Sequence, residues 1–405
     1  MKYAIVIPDG AADDPQPSLG DRTPLAAART PNADRAVATG RIARMNNVPA
    51  SLTPASDVAT LSLFGYDPLD CYTGRAPLEA AALGVKLGPN DWAIRCNLVS
   101  VVDGRMTDFT AGHIPREESR PLIESLQAAL GGPAADGARL EFIPGVSYRN
   151  LLIYRSGDRP APFSAETKTQ PPHDIPDQPI DLHLPTGPGS DLLRSLMGRS
   201  RGVLAAQPVN LARIHAAKRP ATQIWLWGQG QAPRIVPFAQ RFGRTGAITS
   251  AVDLVRGVGA LLGWSRLDHP AVTDYLDNDY GKQAELAIAA LATHDLVCVH
   301  VEAPDEASHE GQIEKKIEAL ERIDAEIIGP LLDALPRFGP WRLLIAPDHR
   351  TLLWTRAHAH GPVPAAICGT GIAAGRLTTY DEIAAAESDL IFDPGWKLMP
   401  WFIGG

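Results

Sequence analysis

Three short runs rich in branched aliphatic residues, 3–7, 294–302 and 342–346, are each bounded by polar or turn-forming residues, the pattern of parallel strands buried on both faces. Between them the apolar spacing changes to that of helices. Ser250-Ala-Val-Asp253 reads as a capping box opening a helix over Leu254–Leu262. Gln312–Ile328 places Ile313, Ile317, Leu320 and Ile323 at helical spacing, with Lys and Glu between them. This alternation predicts an α/β fold, a mainly parallel sheet with helices on both faces. The texture changes in the middle of the chain, where 131–137, 158–163 and 170–185 are rich in Gly, Pro and Asp and Leu140–Tyr154 is strand-like. Residues 78–178 are therefore expected to form an inserted, smaller α+β domain, within a core made of 1–77 and 179–405.

Composition narrows the class. The chain has 405 residues, too many for one typical domain, and its 45% apolar and 21% charged residues are those of a folded globular protein. A formal charge of −8 argues against nucleic acid held by phosphate neutralisation and leaves room for a small phosphorylated metabolite. The apolar run after Met1 is too short for a signal peptide, and no stretch reaches the roughly 18 residues of a membrane span, so a cytoplasmic protein without a membrane partner is expected. Cys71, Cys96, Cys298 and Cys368 are scattered and form no CxxC pair, so neither a disulfide framework nor a zinc knuckle is indicated and they read as small apolar residues. Nothing in the pattern fixes the oligomeric state.

The chemistry lies where acidic residues follow strands: Asp9 after the first, Asp305 after the second, Asp348-His349 after the third. In an open parallel sheet the carboxyl ends of the strands share one edge, and ligands bind there. Asp305 and His309, four residues apart, can present an oxygen and a nitrogen to one point, and His358 follows at loop distance. Taken singly, each such Asp is most often a turn or cap residue. Together they make two clusters of hard oxygen and imidazole ligands, suited to two divalent ions, Mn²⁺ first, with Zn²⁺, Co²⁺ or Mg²⁺ as alternatives. Ser56 stands in a turn-forming stretch, Thr53-Pro-Ala-Ser-Asp-Val-Ala-Thr60, that opens a helix; helix amides stabilise an attached phosphate, although an ordinary serine cap has the same local pattern. Gly228-Gln-Gly230 and Gly243-Arg-Thr-Gly246 complete no nucleotide-binding motif.

These residues carry a family resemblance. Ile5-Val-Ile-Pro-Asp9-Gly-Ala, Thr23-Pro-Leu-Ala-Ala-Ala, Ser56-Asp57-Val-Ala, Phe64-Gly-Tyr-Asp-Pro, Tyr72-Thr-Gly-Arg75, Asp305-Glu-Ala-Ser-His309-Glu-Gly, Asp348-His349 and Pro362-Val-Pro364 run in order along most of the chain. In these motifs it resembles the cofactor-independent phosphoglycerate mutases of the archaeal type, within the alkaline phosphatase superfamily. The resemblance implies an alkaline phosphatase-like core and an inserted domain that covers the substrate. It implies that Asp305, His309 and His358 bind one metal, and that Asp9, Ser56, Asp348 and His349 surround the other. It further implies that Ser56 is the nucleophile, taking up and returning a phosphoryl group as 3-phosphoglycerate and 2-phosphoglycerate interconvert. Arg75, Arg95, His113, Arg149 and Lys282 are candidate partners for the substrate's carboxylate and phosphate, since guanidinium groups bind both in parallel pairs.

The chain departs from the family pattern at Arg350-Thr351-Leu352-Leu353, where a Gly- or Pro-containing turn is expected, and at Val272-Thr-Asp-Tyr-Leu-Asp-Asn-Asp-Tyr280. Pro171-Pro-His-Asp, Ile224-Trp-Leu-Trp-Gly-Gln-Gly and Ser250-Ala-Val-Asp-Leu-Val are similar to a bacterial branch proposed to phosphorylate homoserine. Phosphate transfer to homoserine, or to water as in a phosphatase, therefore stands beside the mutase reading.

Overall fold

The computed structural model describes residues 1–134 and 137–404 and divides into two compact units, 1–72 with 234–405, and 73–233. In the first unit an eight-stranded sheet has Lys2–Pro8 near its middle, between Leu296–Val301 and Trp341–Ile345. Every joint is parallel except the two flanking Val363–Gly369, which runs against its neighbours Trp341–Ile345 and Arg41–Met45. The three runs read as strands are the three central strands. Both faces of Lys2–Pro8 are covered, as a continuous apolar run requires. Ala4 and Val6 pack with Tyr280, Ala284, Ile323 and Ile327, while the Tyr3 ring meets Phe402 of the C-terminal helix edge-on at 5.5 Å.

Two helix expectations are adjusted. The capping box at Ser250 does not form, because the helix starts at Asp253 after an extended Val252. Ser250 Oγ instead accepts from the Val252 amide and meets His300 Nδ1 at 3.1 Å. The pattern over Gln312–Ile328 resolves into a helix at Ile313–Ile323 and a widened turn at Asp324–Ile328. That turn presents the buried Asp324 to the helix Pro31–Ala38, whose own flanking Thr30 provides no side-chain cap. Asp324 Oδ1 accepts from the Ala33 amide at 2.7 Å, and Oδ2 accepts from the Asn32 amide at 3.1 Å. One helix is thus capped by a residue almost 300 positions away in sequence.

The second unit runs from Thr73 to Pro233, not from 78 to 178. The later boundary follows from pairing: Gln223–Gln231 lies antiparallel to Trp92–Val102, which pairs on its other side with Arg149–Arg155. The strand-like Leu140–Tyr154 is a hairpin of Arg139–Val146 and Arg149–Arg155. Helices Arg116–Leu130 and Ser190–Ala205 bury Leu122, Ile123, Leu126, Leu193 and Leu196 in the same core as Trp225 and Leu226, so residues beyond 178 are integral to it. Of the loop-like segment 131–137, Ala135 and Asp136 lie outside the described residues. Among the described residues no helix is long and apolar enough to cross a membrane.

Asp324→Ala would leave buried amides of Pro31–Ala38 without acceptors, and should cost about 2 kcal/mol. Urea unfolding of the variant beside the parent measures this; an unchanged midpoint would show that the distant cap contributes nothing.

Candidate active site

The parallel register brings the ends of the central strands together. Pro8 is level with Val301, and the Asp9 amide donates to the Val301 carbonyl at 3.0 Å. The Ala346 amide donates to the Val6 carbonyl at 3.0 Å. Asp9, Glu302 and Asp348 therefore emerge at one edge. The helix Ala303–Glu310 carries Asp305 and His309 on successive turns, and a short hairpin, Arg350–Leu352 with Ala357–Ala359, sets Thr351 opposite His358. Gly10 permits the close approach: its φ is +58°, and a Cβ there would lie 2.3 Å from Asp305 Oδ1 and 2.5 Å from Thr351 Oγ1.

Ser56 is the first residue of the helix Ser56–Leu63, and the flanking extended residue is Ala55, so the hydroxyl is not used as a cap. Its Oγ lies 3.3 Å from Asp9 Oδ2 and 3.2 Å from His349 Nε2. All of Asp9, Ser56, Asp305, Asp348 and His349 are buried. Ligand atoms of Asp305, His309 and His358 fall within 4.8 Å of one another, as do those of Asp9, Asp305 and His349 and those of Asp9, His300 and Glu302.

The donor set fits divalent cations. His309 Nδ1 faces the Arg356 carbonyl at 2.9 Å and His358 Nδ1 faces the Pro54 carbonyl at 3.1 Å. A carbonyl only accepts, so both Nδ1 atoms carry protons and both Nε2 atoms are left to the site. Those Nε2 atoms stand 3.0 Å apart, His309 Nε2 3.0 Å from Asp305 Oδ2 and His358 Nε2 3.4 Å from Asp305 Oδ1. Two lone pairs so placed repel unless a cation or an extra proton intervenes. Asp9 Oδ1, Glu302 Oε2 and Asp348 Oδ2 are buried without a hydrogen-bond donor, which in an ordinary interior would be costly. His300 Nε2 lies 2.9 Å from Asp9 Oδ2 yet outside hydrogen-bond geometry, as two ligands aimed at a common third point would be.

The electrostatics agree. Burial, reinforced by Asp9, pushes the Asp348 carboxyl up to about 6. Burial and the nearby Asp9, Asp305 and Asp348 raise Glu302 well above the carboxylate range. Asp305 is held well below that range, because hydrogen bonds from His309 and His358 outweigh its burial. The Asp305 hydrogen bond raises His309 to about 9, whereas burial lowers the pKa of His349. Without cations the cluster must retain protons to offset its charge.

Of the candidate substrate partners, three gather in the second unit. Arg95, buried, binds Glu79 through Nε at 3.1 Å and a second nitrogen at 2.9 Å, and lies 4.1 Å over the Trp227 ring. Burial raises the Glu79 carboxyl against the opposing pull of Arg95, Arg149 and Arg75, so all three guanidinium groups are within its electrostatic reach. Arg75 opens the helix Arg75–Ala82 and so belongs to this unit rather than to the core. His173 stacks edge-on with Trp227 at 5.3 Å; burial lowers its pKa, and Arg95 and Arg75 push the same way. His113 occupies an exposed left-handed turn at φ +47°, its amide bonded to Thr110 Oγ1. Lys282 is in the first unit and pairs with Glu285 on its own helix at 2.7 Å.

His300, Glu302, Thr351 and His173 were not among the expected site residues. The available signal for the first two was a histidine inside the apolar run Leu296-Val-Cys-Val-His-Val and an acid directly after it.

A family model described as 2,3-bisphosphoglycerate-independent phosphoglycerate mutase matches residues 38–210. A 2,3-bisphosphoglycerate-independent phosphoglycerate mutase of Methanothrix thermoacetophila is 43% identical over 100% of both chains, and that of Methanosarcina barkeri is 45% identical over 96% of both. A solved structure of a Pyrococcus horikoshii protein shares the fold at a TM-score of 0.81 and 24% identity, covering 99% of this chain and 97% of its own. With full-length relatives at this identity, the chain belongs to the 2,3-bisphosphoglycerate-independent phosphoglycerate mutase family.

Proposed function

We propose that the chain interconverts 3-phosphoglycerate and 2-phosphoglycerate through a phosphorylated Ser56. The observation that carries this reading is Ser56 Oγ, not used as a helix cap, set between Asp9 Oδ2 and His349 Nε2 beside carboxylate oxygens that lack donors. Asp305, His309 and His358 would hold one divalent ion and Asp9, Ser56, Asp348 and His349 the other, with His300 and Glu302 adjoining Asp9. Mn²⁺ suits this mixture of oxygen and imidazole, ahead of Zn²⁺, Co²⁺ or Mg²⁺. When bound, such ions lower the pKa of a serine hydroxyl and neutralise charge on a transferring phosphoryl group.

Ser56 Oγ attacks the phosphorus in line, so that the Oγ–P bond forms as the bond from phosphorus to the C3 oxygen breaks. Asp9 Oδ2, 3.3 Å away, is within reach of the hydroxyl proton. The amide end of the Ser56–Leu63 helix favours the negative charge acquired by the side chain. The C3 oxygen takes up a proton as it leaves. The glycerate then reorients, its C2 hydroxyl gives up a proton as it attacks the phosphoserine, and Ser56 Oγ regains one as the Oγ–P bond breaks, so that no proton is gained or lost over the cycle. Within the second unit, Arg75, Arg95 and Arg149 are proposed as a group suited to a carboxylate, with Arg95 kept in place by Glu79 and Trp227. Among the segments that resemble the homoserine-phosphorylating branch, Trp225 is fully buried and Ser250 meets His300, so packing accounts for both.

Metal-loaded protein supplied with 3-phosphoglycerate and coupled to enolase should form 2-phosphoglycerate, and chelation should abolish the signal until Mn²⁺ is restored. No 2-phosphoglycerate, or faster transfer to homoserine from a phosphoryl donor, would overturn the mutase reading. Ser56→Ala should lower turnover by roughly 10³-fold or more with an unchanged thermal midpoint. Turnover near the parent level would remove Ser56 as the nucleophile.

Metal and protons compete for the same Nε2 atoms. Because His309 is raised to about 9, Mn²⁺ must displace its proton below that pH, and affinity should climb as pH rises from 6 towards 9. Calorimetry in buffers of different ionisation enthalpy should detect the released proton, and Mn²⁺ should raise the thermal midpoint of the parent but less that of Asp305→Asn. A pH-independent affinity would contradict the assignment of His309 as a ligand.

A further inference from the structure

The segment Arg350–Leu353, where the chain departs from the expected turn, places one hydroxyl against two residues of the site. Thr351 is fully buried, and its Oγ1 contacts Asp305 Oδ1 and lies 3.2 Å from His349 Nδ1. Its backbone is held at both ends. The amide donates to the Ala12 carbonyl at 3.1 Å, and the carbonyl accepts from Lys316 Nζ at 2.9 Å. Lys316 Nζ also binds Asp13 Oδ2 at 2.9 Å, both residues being buried, and the same oxygen accepts from the Leu353 amide at 3.2 Å.

We infer that Thr351 is a positioning residue that sets the tautomer of His349 and the direction of Asp305. A hydroxyl has one proton and two lone pairs. Asp305, ionised, only accepts, so the Thr351 proton goes to Oδ1. His349 Nδ1 must then donate to Thr351 Oγ1, which leaves Nε2 unprotonated towards Ser56 Oγ at 3.2 Å and Asp9 Oδ1 at 3.4 Å. The other tautomer would set an Nδ1 lone pair against a hydroxyl lone pair, or take the proton away from Asp305. The same hydroxyl therefore couples Asp305, which belongs to one proposed metal cluster, to His349 of the other. Partners behind a metal-binding histidine typically change affinity by about 10- to 100-fold when removed.

The inference rests on the two-metal reading, but its first test does not need activity. In the metal-free protein, ¹⁵N imidazole shifts of His349 should show a protonated Nδ1 and a bare Nε2; the reverse tautomer would overturn the inference. Thr351→Val, nearly isosteric, should mix the tautomers and weaken Mn²⁺ binding by about 10- to 100-fold, while Thr351→Ser should restore both. A Thr351→Val protein that binds Mn²⁺ as tightly as the parent would also overturn it. If Thr351→Val does not fold, the parent spectrum and the Thr351→Ser affinity decide the matter. A protein that forms no 2-phosphoglycerate but shows the Nδ1-protonated ring loses the proposed reaction and keeps this assignment.

Discussion

Four carboxylates, Asp9, Glu302, Asp305 and Asp348, are brought together at the carboxyl edge of one sheet, and the first unit is organised around the cost of that arrangement. Removing an ionised carboxylate from water costs several kcal/mol even after relaxation, and a second like charge nearby adds to it. The protein compensates locally where it can. Asp305 is bonded by imidazoles and by Thr351, and Asp348 Oδ1 accepts from the Gly10 amide at 3.2 Å and the His349 amide at 2.8 Å. The oxygens left without donors are those a cation would satisfy. Free energy of this kind, held in a fixed constellation, is what allows a site to stabilise charge that develops only during reaction.

The scaffold explains how such a cluster stays ordered. Parallel strands with both faces covered cannot slide by one residue without moving their whole apolar set, so Asp9, Glu302 and Asp348 are located to within the register of the sheet. The helix Ala303–Glu310 and the hairpin at 350–359 are less constrained by the sheet, and there polar contacts take over. Lys316 and Asp13 form a buried pair whose contribution lies in fixing the Thr351 backbone more than in net stability. Gly10 keeps the space that any side chain would fill.

In the second unit the same physics runs with the opposite sign. Glu79 is paired with Arg95 and lies within the electrostatic reach of Arg75 and Arg149, and Trp227 lies beneath Arg95, so here an acid offsets cations instead of imidazoles offsetting acids. A bidentate, stacked Arg95 has one geometry available, unlike a mobile surface cation. Lys282, paired on its own helix, and His113, in an exposed turn, have no such support.

The central strands, Asp9, Asp305, His309, Asp348-His349 and the helix opening at Ser56 were legible in the chain itself, because strand and helix periods and the residues that end them are local properties. The limit of the second unit was not legible, since Gln223–Gln231 joins it through pairing with Trp92–Val102, more than a hundred residues away in the chain. His300 was concealed by an apolar strand, and Asp324 by a helical pattern that gives no hint of a distant cap. Whether Ser56 capped its helix or faced Asp9 was likewise undecidable locally, as both uses begin with the same turn. The protonation pattern of the imidazoles lay furthest out of reach. It depends on particular acceptors, among them the carbonyls of Pro54 and Arg356 and the hydroxyl of Thr351, whose positions only the folded backbone decides. Sequence by itself determined which carboxylate, imidazole and hydroxyl groups are present and which strand ends carry them; tertiary structure decided which of them converge, because that depends on distances between residues that the chain does not place side by side.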